Sequence, residues 1–283
     1  MERTIKLINP REYNFAVSRL REFFGGVKGF VETHVQSGLD ILAACEDPFN
    51  IATFDYAGDV WPMSQTGQMR LEQQLLTDPT LSGLFCVTTS YRQEPDPKPG
   101  RHDLIFPMFE FEAHGDMVVL EKLERELLEF LGFEPKKPAT YFPGADYKKM
   151  AELYGVHELT DVHEEHFQQD YGDVFFLKYF PEYTSPFWNM KREHGYAKKI
   201  DVILCGMETI GSAERSTDPE DMRKRFHTIS DGKYAKRLFG SFRRDRVLAE
   251  LDEFLNLPMI PRCGGGIGMT RMIRAMKLAN ILK

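Results

Sequence analysis

The sequence predicts an α+β fold: a largely antiparallel sheet with helices packed against it. Three observations carry that expectation. Apolar stretches of strand length follow one another through hairpin-like connections, with helices grouped between them. One strongly amphipathic helix, "MVVLEKLERELLEFLGF" from Met117, is capped by Asp116 and separates two groups of strands. The third is "PRCGGGIGMTRMIRAMK" (Pro261 to Lys277), a nearly bare strand running into a final helix that begins near Met269.

The elements follow in order. Phe15, Val17, Leu20 and Phe23 recur at helical spacing, and Gly25 and Gly26 are expected to stop that helix. "LFCVTTSY" (Leu84 to Tyr91) reads as a buried strand. "IFPMFEFEA" (Ile105 to Ala113) reads as its partner, with Glu110 and Glu112 on one face because strand side chains alternate. Between them, "RQEPDPKPGRHD" is a long hairpin loop. Residues 135–169 read as a helical insertion, and "VFFLKYF" (Val174 to Phe180) and "IDVILCGMETIG" (Ile200 to Gly211) as further strands.

The 283 residues suffice for one large domain with a sizeable core, and 42% hydrophobic with 28% charged residues is an ordinary globular composition. No apolar run reaches the ~18 residues that span a bilayer, and the N-terminus is not a signal peptide. Four dispersed cysteines without a C-x-x-C pair suit reduced thiols, so a cytoplasmic protein is expected. A net charge of −7 argues against nucleic-acid binding as the main task.

Chemistry concentrates in two places besides the glycines. Arg92 and Glu94 share a face at a strand end, Arg101 and His102 lie in the following loop, and Phe106 is on the returning strand. Arginines so placed can clamp phosphates and an aromatic can stack a base, although a solvated charged hairpin also fits. In "DVILCGMETIGSAER", Asp201 and Glu208 could hold Mg²⁺ through two carboxylates plus phosphate oxygens, or form a strand-end ion pair; Arg215 follows seven residues later. "VHEEHF" lacks the H-E-x-x-H spacing of a zinc protease, and no nucleophile motif occurs. For the glycines themselves, a ligand on bare backbone and tight helix–strand packing both fit.

Taken together, Arg92-x-Glu94, the Arg101-His102 loop, Phe106 and the terminal Gly264-x-Gly266-x-Gly268-x-x-Arg271 resemble motifs 2 and 3 of class II aminoacyl-tRNA synthetases. The detail is most similar to the aspartyl/asparaginyl subgroup and its relatives, the AMP-forming asparagine synthetases. The resemblance implies one class II catalytic domain over residues 1–283, without the anticodon-binding barrel, and a homodimer. It implies that Arg92 and Arg271 are catalytic and also bind ATP. Glu94, Arg101, His102, Phe106, Gly264, Gly266 and Gly268 would join them in the ATP site. Asp201 and Glu208 would hold Mg²⁺, while Glu46, Gln68, Glu110 and Arg215 would bind the amino acid. The chain departs from the pattern at Gln36, where motif 1 has proline, at Leu71, where aspartyl enzymes have lysine, and at Ile105, where a glutamate precedes the stacking aromatic.

The function implied is an ATP-dependent ligase that adenylates aspartate or an analogue and passes it to ammonia or a small amine. Charging of tRNA is not expected without an anticodon domain. The alternatives are transfer to a protein, carrier or tRNA, and a non-catalytic regulator that binds amino acid or nucleotide.

Overall fold

The computed structural model describes residues 7–35, 40–42 and 47–282. Helix α1 (Pro10–Arg21) starts where the Asn9 side chain accepts from the backbone N–H groups of Arg11 and Glu12, with proline in the first turn. It does not stop at Gly25 and Gly26. The helix widens into a π turn, Glu22–Val27, that contains both glycines and buries Phe23 and Phe24. Apolar burial on this side outweighs the helix-breaking tendency of the pair.

The central sheet has nine strands. Its order is β1 (Val31–Glu32), β4 (Gly83–Tyr91), β5 (Ile105–His114), β11 (Arg262–Gly268), β10 (Met207–Glu214), β9 (Tyr196–Leu204), β7 (Val174–Pro181) and β6 (Gly144–Asp146), with β8 (Arg192–Glu193) on β9. Only the edge pairs β1–β4 and β6–β7 are parallel. Strands β2 (Thr53–Tyr56) and β3 (Asp59–Pro62) form a separate hairpin. The β9–β10 hairpin turns through Cys205 (φ 49°) and Gly206 (φ 75°), two successive left-handed residues as a tight two-residue hairpin turn requires.

One sheet face packs on α1, α3 (Met117–Leu131) and α9 (Met269–Leu278), burying Phe24, Phe109, Phe111, Leu120, Val202 and Ile267 in a single core. Beyond one end of the opposite face, α6 (Pro219–Thr228), α7 (Lys233–Ser241) and α8 (Arg244–Leu255) enclose Trp188 in a second core. Residues 135–169 contribute α4 (Tyr147–Leu153) and most of α5 (Asp161–Tyr171), as the helical reading expects. They also contain β6, which extends the main sheet. No helix among the described residues is long and apolar enough to cross a membrane.

Glu124 on α3 is fully buried behind the sheet. Burial pushes its carboxyl up to about 8, with Ser212 pulling the other way. The folded chain therefore holds a proton here that the unfolded chain releases above the ordinary glutamate range. This contribution to stability is complete below about pH 4.5 and is lost as pH rises towards 8. Glu124→Gln, a permanently neutral isostere, is expected to match the parent at pH 4 and to exceed it at pH 8 by more than ~1 kcal/mol in urea unfolding. An unchanged difference between the two pH values would contradict this account.

Candidate active site

Strands β5, β11, β10 and β9 form the floor of an open cavity of about 420 Å³, a volume typical of small-molecule sites. Register decides which glycines reach it. Ile267 and Cys263 belong to the core behind the sheet, so alternation turns the even-numbered glycines towards the cavity side. Gly266 pairs with Glu110 on one side and with Gly211 on the other, and Gly268 pairs with Met108. Gly266 and Gly268 line the cavity; a Cβ at Gly266 would stand 2.6 Å from Met108 Cε.

Gly264, expected in the ATP site, is covered instead. A Cβ there would lie 2.1 Å from Glu112 Oε2 and 2.2 Å from the Phe111 carbonyl, so its bareness makes room for Glu112. Gly265 packs against Ser212 and the Gly211 carbonyl, where a Cβ would lie 2.4 and 2.5 Å away. Close packing at Gly264 and Gly265 is thus against neighbouring strands rather than a helix, while Gly265, Gly266 and Gly268 line the cavity.

At one end of the cavity Arg92 and Phe106 meet, with the guanidinium carbon 5.5 Å from the ring centroid. Arg271, in the first turn of α9, donates from Nη1 to the Glu208 carbonyl (2.7 Å) and from Nη2 to the Arg101 carbonyl (3.3 Å). It therefore ties the hairpin loop to the β9–β10 hairpin. Glu94 and His102 also line the cavity and face each other, Oε1 to Nδ1 at 2.8 Å. The Arg101 guanidinium is drawn towards α5, 2.6 Å from Glu164, 3.7 Å from Glu165 and 3.8 Å from Asp161. Lys98 adds a 2.7 Å pair to Asp161.

Asp201 and Glu208 converge over Gly211, where a Cβ would stand 3.2 Å from Glu208 Oε1 and 3.7 Å from Asp201 Oδ1. Asp201 Oδ1 is buried without a hydrogen-bond partner among the described residues. Burial, and then the neighbouring Glu208, push the Asp201 carboxyl up to about 7. Two underneutralised carboxylates fit Mg²⁺, which takes few protein ligands and completes its shell with water and phosphate oxygens. Among the described residues no group of three or more His, Cys, Asp or Glu is placed to hold a metal ion.

The other end of the cavity is a buried charge network. Arg215 lies between two fully buried glutamates, with Nε 3.4 Å from both Glu72 and Glu112, while Nη2 donates to the Gly264 carbonyl at 3.0 Å. Arg262, fully buried, holds Glu72 through Nε (3.0 Å) and Nη2 (2.8 Å). Asn189 donates from Nδ2 to the same carboxylate at 2.7 Å. Burial pushes the Glu112 carboxyl up to about 8 against the pull of Arg215. Arg215 lines the cavity between these two carboxyl groups and is the cation that an incoming carboxylate would meet at this end.

Gln68 lines this end and donates to Glu112. Glu110 also lines the cavity. Its carboxylate accepts from the backbone N–H of Gly67 (3.0 and 2.8 Å) and from the hydroxyls of Thr66 and Thr88. Those bonds make it an anchor of the 66–68 loop. Glu46 lies outside the described residues.

With this geometry in hand, the comparisons are decisive at the level of family. A family model for class II tRNA synthetases (D, K and N) matches residues 31–282. The chain belongs to the class II tRNA synthetase family. It is similar to the aspartate–tRNA(Asp) ligase of Pyrobaculum aerophilum, 25% identical over 91% of this chain and 61% of that protein. The fold is similar to asparaginyl-tRNA synthetase from Pyrococcus horikoshii complexed with asparaginyl-adenylate, with a TM-score of 0.74 and 20% identity over 96% of this chain and 65% of that one. Asparaginyl-tRNA synthetase from Entamoeba histolytica, also with asparaginyl-adenylate, has a TM-score of 0.71 and 16% identity over 95% and 63% of the two chains. The chain thus spans about three-fifths of the length of its curated synthetase relative.

Against the synthetase pattern, the departures are partly explained. Leu71 is fully buried in a small core with Val35, Leu75, Leu84 and Cys86, so the side chain at this position packs instead of reading a substrate. Ile105 is 64% exposed at the strand end beside Phe106. Gln36 lies outside the described residues. Sequence reasoning missed Glu72, Glu112, Asn189, Arg262 and Lys199. Glu112 carried a signal, since it shares a strand face with Glu110; Glu72 and Arg262 find each other only through the tertiary fold.

Proposed function

We propose that this chain is an ATP-dependent, AMP-forming ligase that activates aspartate or an analogue and transfers it to ammonia or a small amine, as asparagine synthetases do. The observation that supports this most is one cavity lined together by Arg92, Phe106, Arg271, Glu208 and Arg215, with Asp201 converging on Glu208 over Gly211. ATP would lie over Gly266 and Gly268 with adenine against Phe106, and the amino acid would face Arg215 and Gln68.

In the first step a carboxylate oxygen of the amino acid attacks the α-phosphorus in line, and pyrophosphate leaves with the electron pair. Arg92 stabilises the charge that grows on the α-phosphate oxygens, and Arg271 does so on the outer phosphates. Asp201 and Glu208 would hold Mg²⁺, which supplies further charge neutralisation. In the second step the amine attacks the acyl carbon and AMP departs. Positioning and charge stabilisation suffice for both steps, and no protein nucleophile is required. In this reading the chain is one catalytic domain and forms a homodimer.

A second reading, transfer to RNA, draws support from the tRNA ligases among the relatives and from exposed cations on α6, α7 and α8. Lys224, Lys236 and Arg244 there form no ion pair among the described residues. The test is amino-acid-dependent exchange of pyrophosphate into ATP across a panel of acidic amino acids and their amides, followed by product analysis with ammonia or with tRNA. Exchange with one acidic amino acid, and AMP release driven by ammonia, is expected. Formation of ADP in place of AMP would refute adenylate chemistry, and turnover with tRNA but not ammonia would transfer support to the second reading.

A further inference from the structure

The ammonium of Lys199 stands beside the two carboxylates assigned to the metal. Lys199 and Asp201 are two residues apart on β9 and therefore share its cavity-side face. Nζ lies 2.8 Å from Asp201 Oδ2 and 4.1 Å from the centre of the Phe180 ring, so the lysine is held by an ion pair and a cation–π contact at once. Its side chain is 23% exposed and lines the cavity. Opposite Lys199 in the sheet is Ala213, too small to intervene.

The consequence is an uneven metal site. Asp201 Oδ2 is occupied by the ammonium, while Oδ1 has no hydrogen-bond partner among the described residues and converges with Glu208 over Gly211. Among the described residues no lysine or arginine pairs with the Glu208 carboxylate. The ammonium offsets part of the carboxylate charge and holds one of the oxygens. Magnesium gives up its water reluctantly, and two single oxygens so offset are a weak inducement without phosphate oxygens.

We infer that Lys199 is a positioning residue that reserves one oxygen of Asp201 and lowers the charge of the site, so that a divalent cation is held only together with the triphosphate. The inference rests on the assignment of Asp201 and Glu208 to the metal. It makes the metal and the nucleotide arrive as one ligand.

The test uses Mn²⁺ as the probe, followed by electron paramagnetic resonance, with and without a non-hydrolysable ATP analogue. The parent protein is expected to bind Mn²⁺ only with the analogue. Lys199→Met keeps the stem over Phe180 but removes the charge; it is expected to bind Mn²⁺ without the analogue at least tenfold more tightly than the parent. Lys199→Arg should restore the parent behaviour, which a purely steric role would not require. Thermal melting of all three proteins establishes that they are folded. Equal Mn²⁺ affinity of the parent and Lys199→Met without nucleotide would overturn the inference while leaving the metal assignment intact. Absence of Mn²⁺ binding even with bound analogue would overturn the metal assignment and the inference with it.

Discussion

Arg262→Met is expected to cost about 3–5 kcal/mol of folding stability, the range seen when one partner of a buried ion pair is removed. Glu72 accepts two hydrogen bonds from the Arg262 guanidinium, and both side chains have zero exposure. Methionine fills much of the space but leaves a carboxylate whose remaining close donor is Asn189, with Arg215 Nε at 3.4 Å. Arg262 also donates from Nη1 to the carbonyls of Ser216, which is buried, and Ile260, which is half-buried, so both acceptors lose a partner as well. In thermal unfolding the loss would read as a fall on the order of 10 °C. Glu72→Gln in the same background should recover part of it, because a neutral amide tolerates burial better than an unpaired carboxylate. A loss below ~1 kcal/mol would mean that water or a rearranged Arg215 neutralises Glu72 unaided.

Arg92→Ala is expected to lower the turnover of pyrophosphate exchange by about 10²–10³, the usual result of removing one preorganised group aimed at developing charge. The arginine follows the end of β4, its backbone N–H donates to the Leu104 carbonyl (2.8 Å), and its guanidinium carbon lies 5.5 Å from the Phe106 ring centroid. Under the proposed function, ground-state ATP would keep its contacts to Arg271 and the glycine floor, so KM for ATP should change much less than kcat. Lys in place of Arg92 should recover only part of the loss, since an ammonium is a point charge without the planar fork. A variant with raised KM and unchanged kcat would reassign Arg92 to nucleotide binding alone.

Much of this architecture could be read from the chain, and what could not has a physical reason. The antiparallel strands and α3 follow from alternation and helical spacing, both local signals. That Arg92, Phe106 and Arg271 share one cavity also follows, because they belong to short contiguous patterns. The roles within those patterns were less legible. Gly264 and Gly266 look equivalent in the sequence, yet one is overlaid by Glu112 and the other lines the cavity. That the Glu110 carboxylate holds Gly67, Thr66 and Thr88 is likewise invisible in the sequence. Glu72 and Arg262 are 190 residues apart, and only the packing of α2 (Gln68–Thr77) over β11 brings them together. The π turn after α1 escaped for a different reason, since glycine propensity is a weak local preference that two buried phenylalanines override.

The pairing of the hairpin loop with α5 places an anion permanently within reach of Arg101. Asp161, Glu164 and Glu165 are attached to the same chain, so they compete with any incoming phosphate at an effective concentration fixed by the fold and unaffected by dilution. Under the proposed function, the gain of a phosphate at Arg101 would be offset by what these three carboxylates give up. Salt weakens both sides of that exchange, though unevenly. The Lys98–Asp161 contact, with Lys98 more than half exposed, is screened first, while the recessed Arg101–Glu164 contact persists. A modest rise in ionic strength therefore loosens Lys98 from Asp161 while the Arg101–Glu164 contact stays in place.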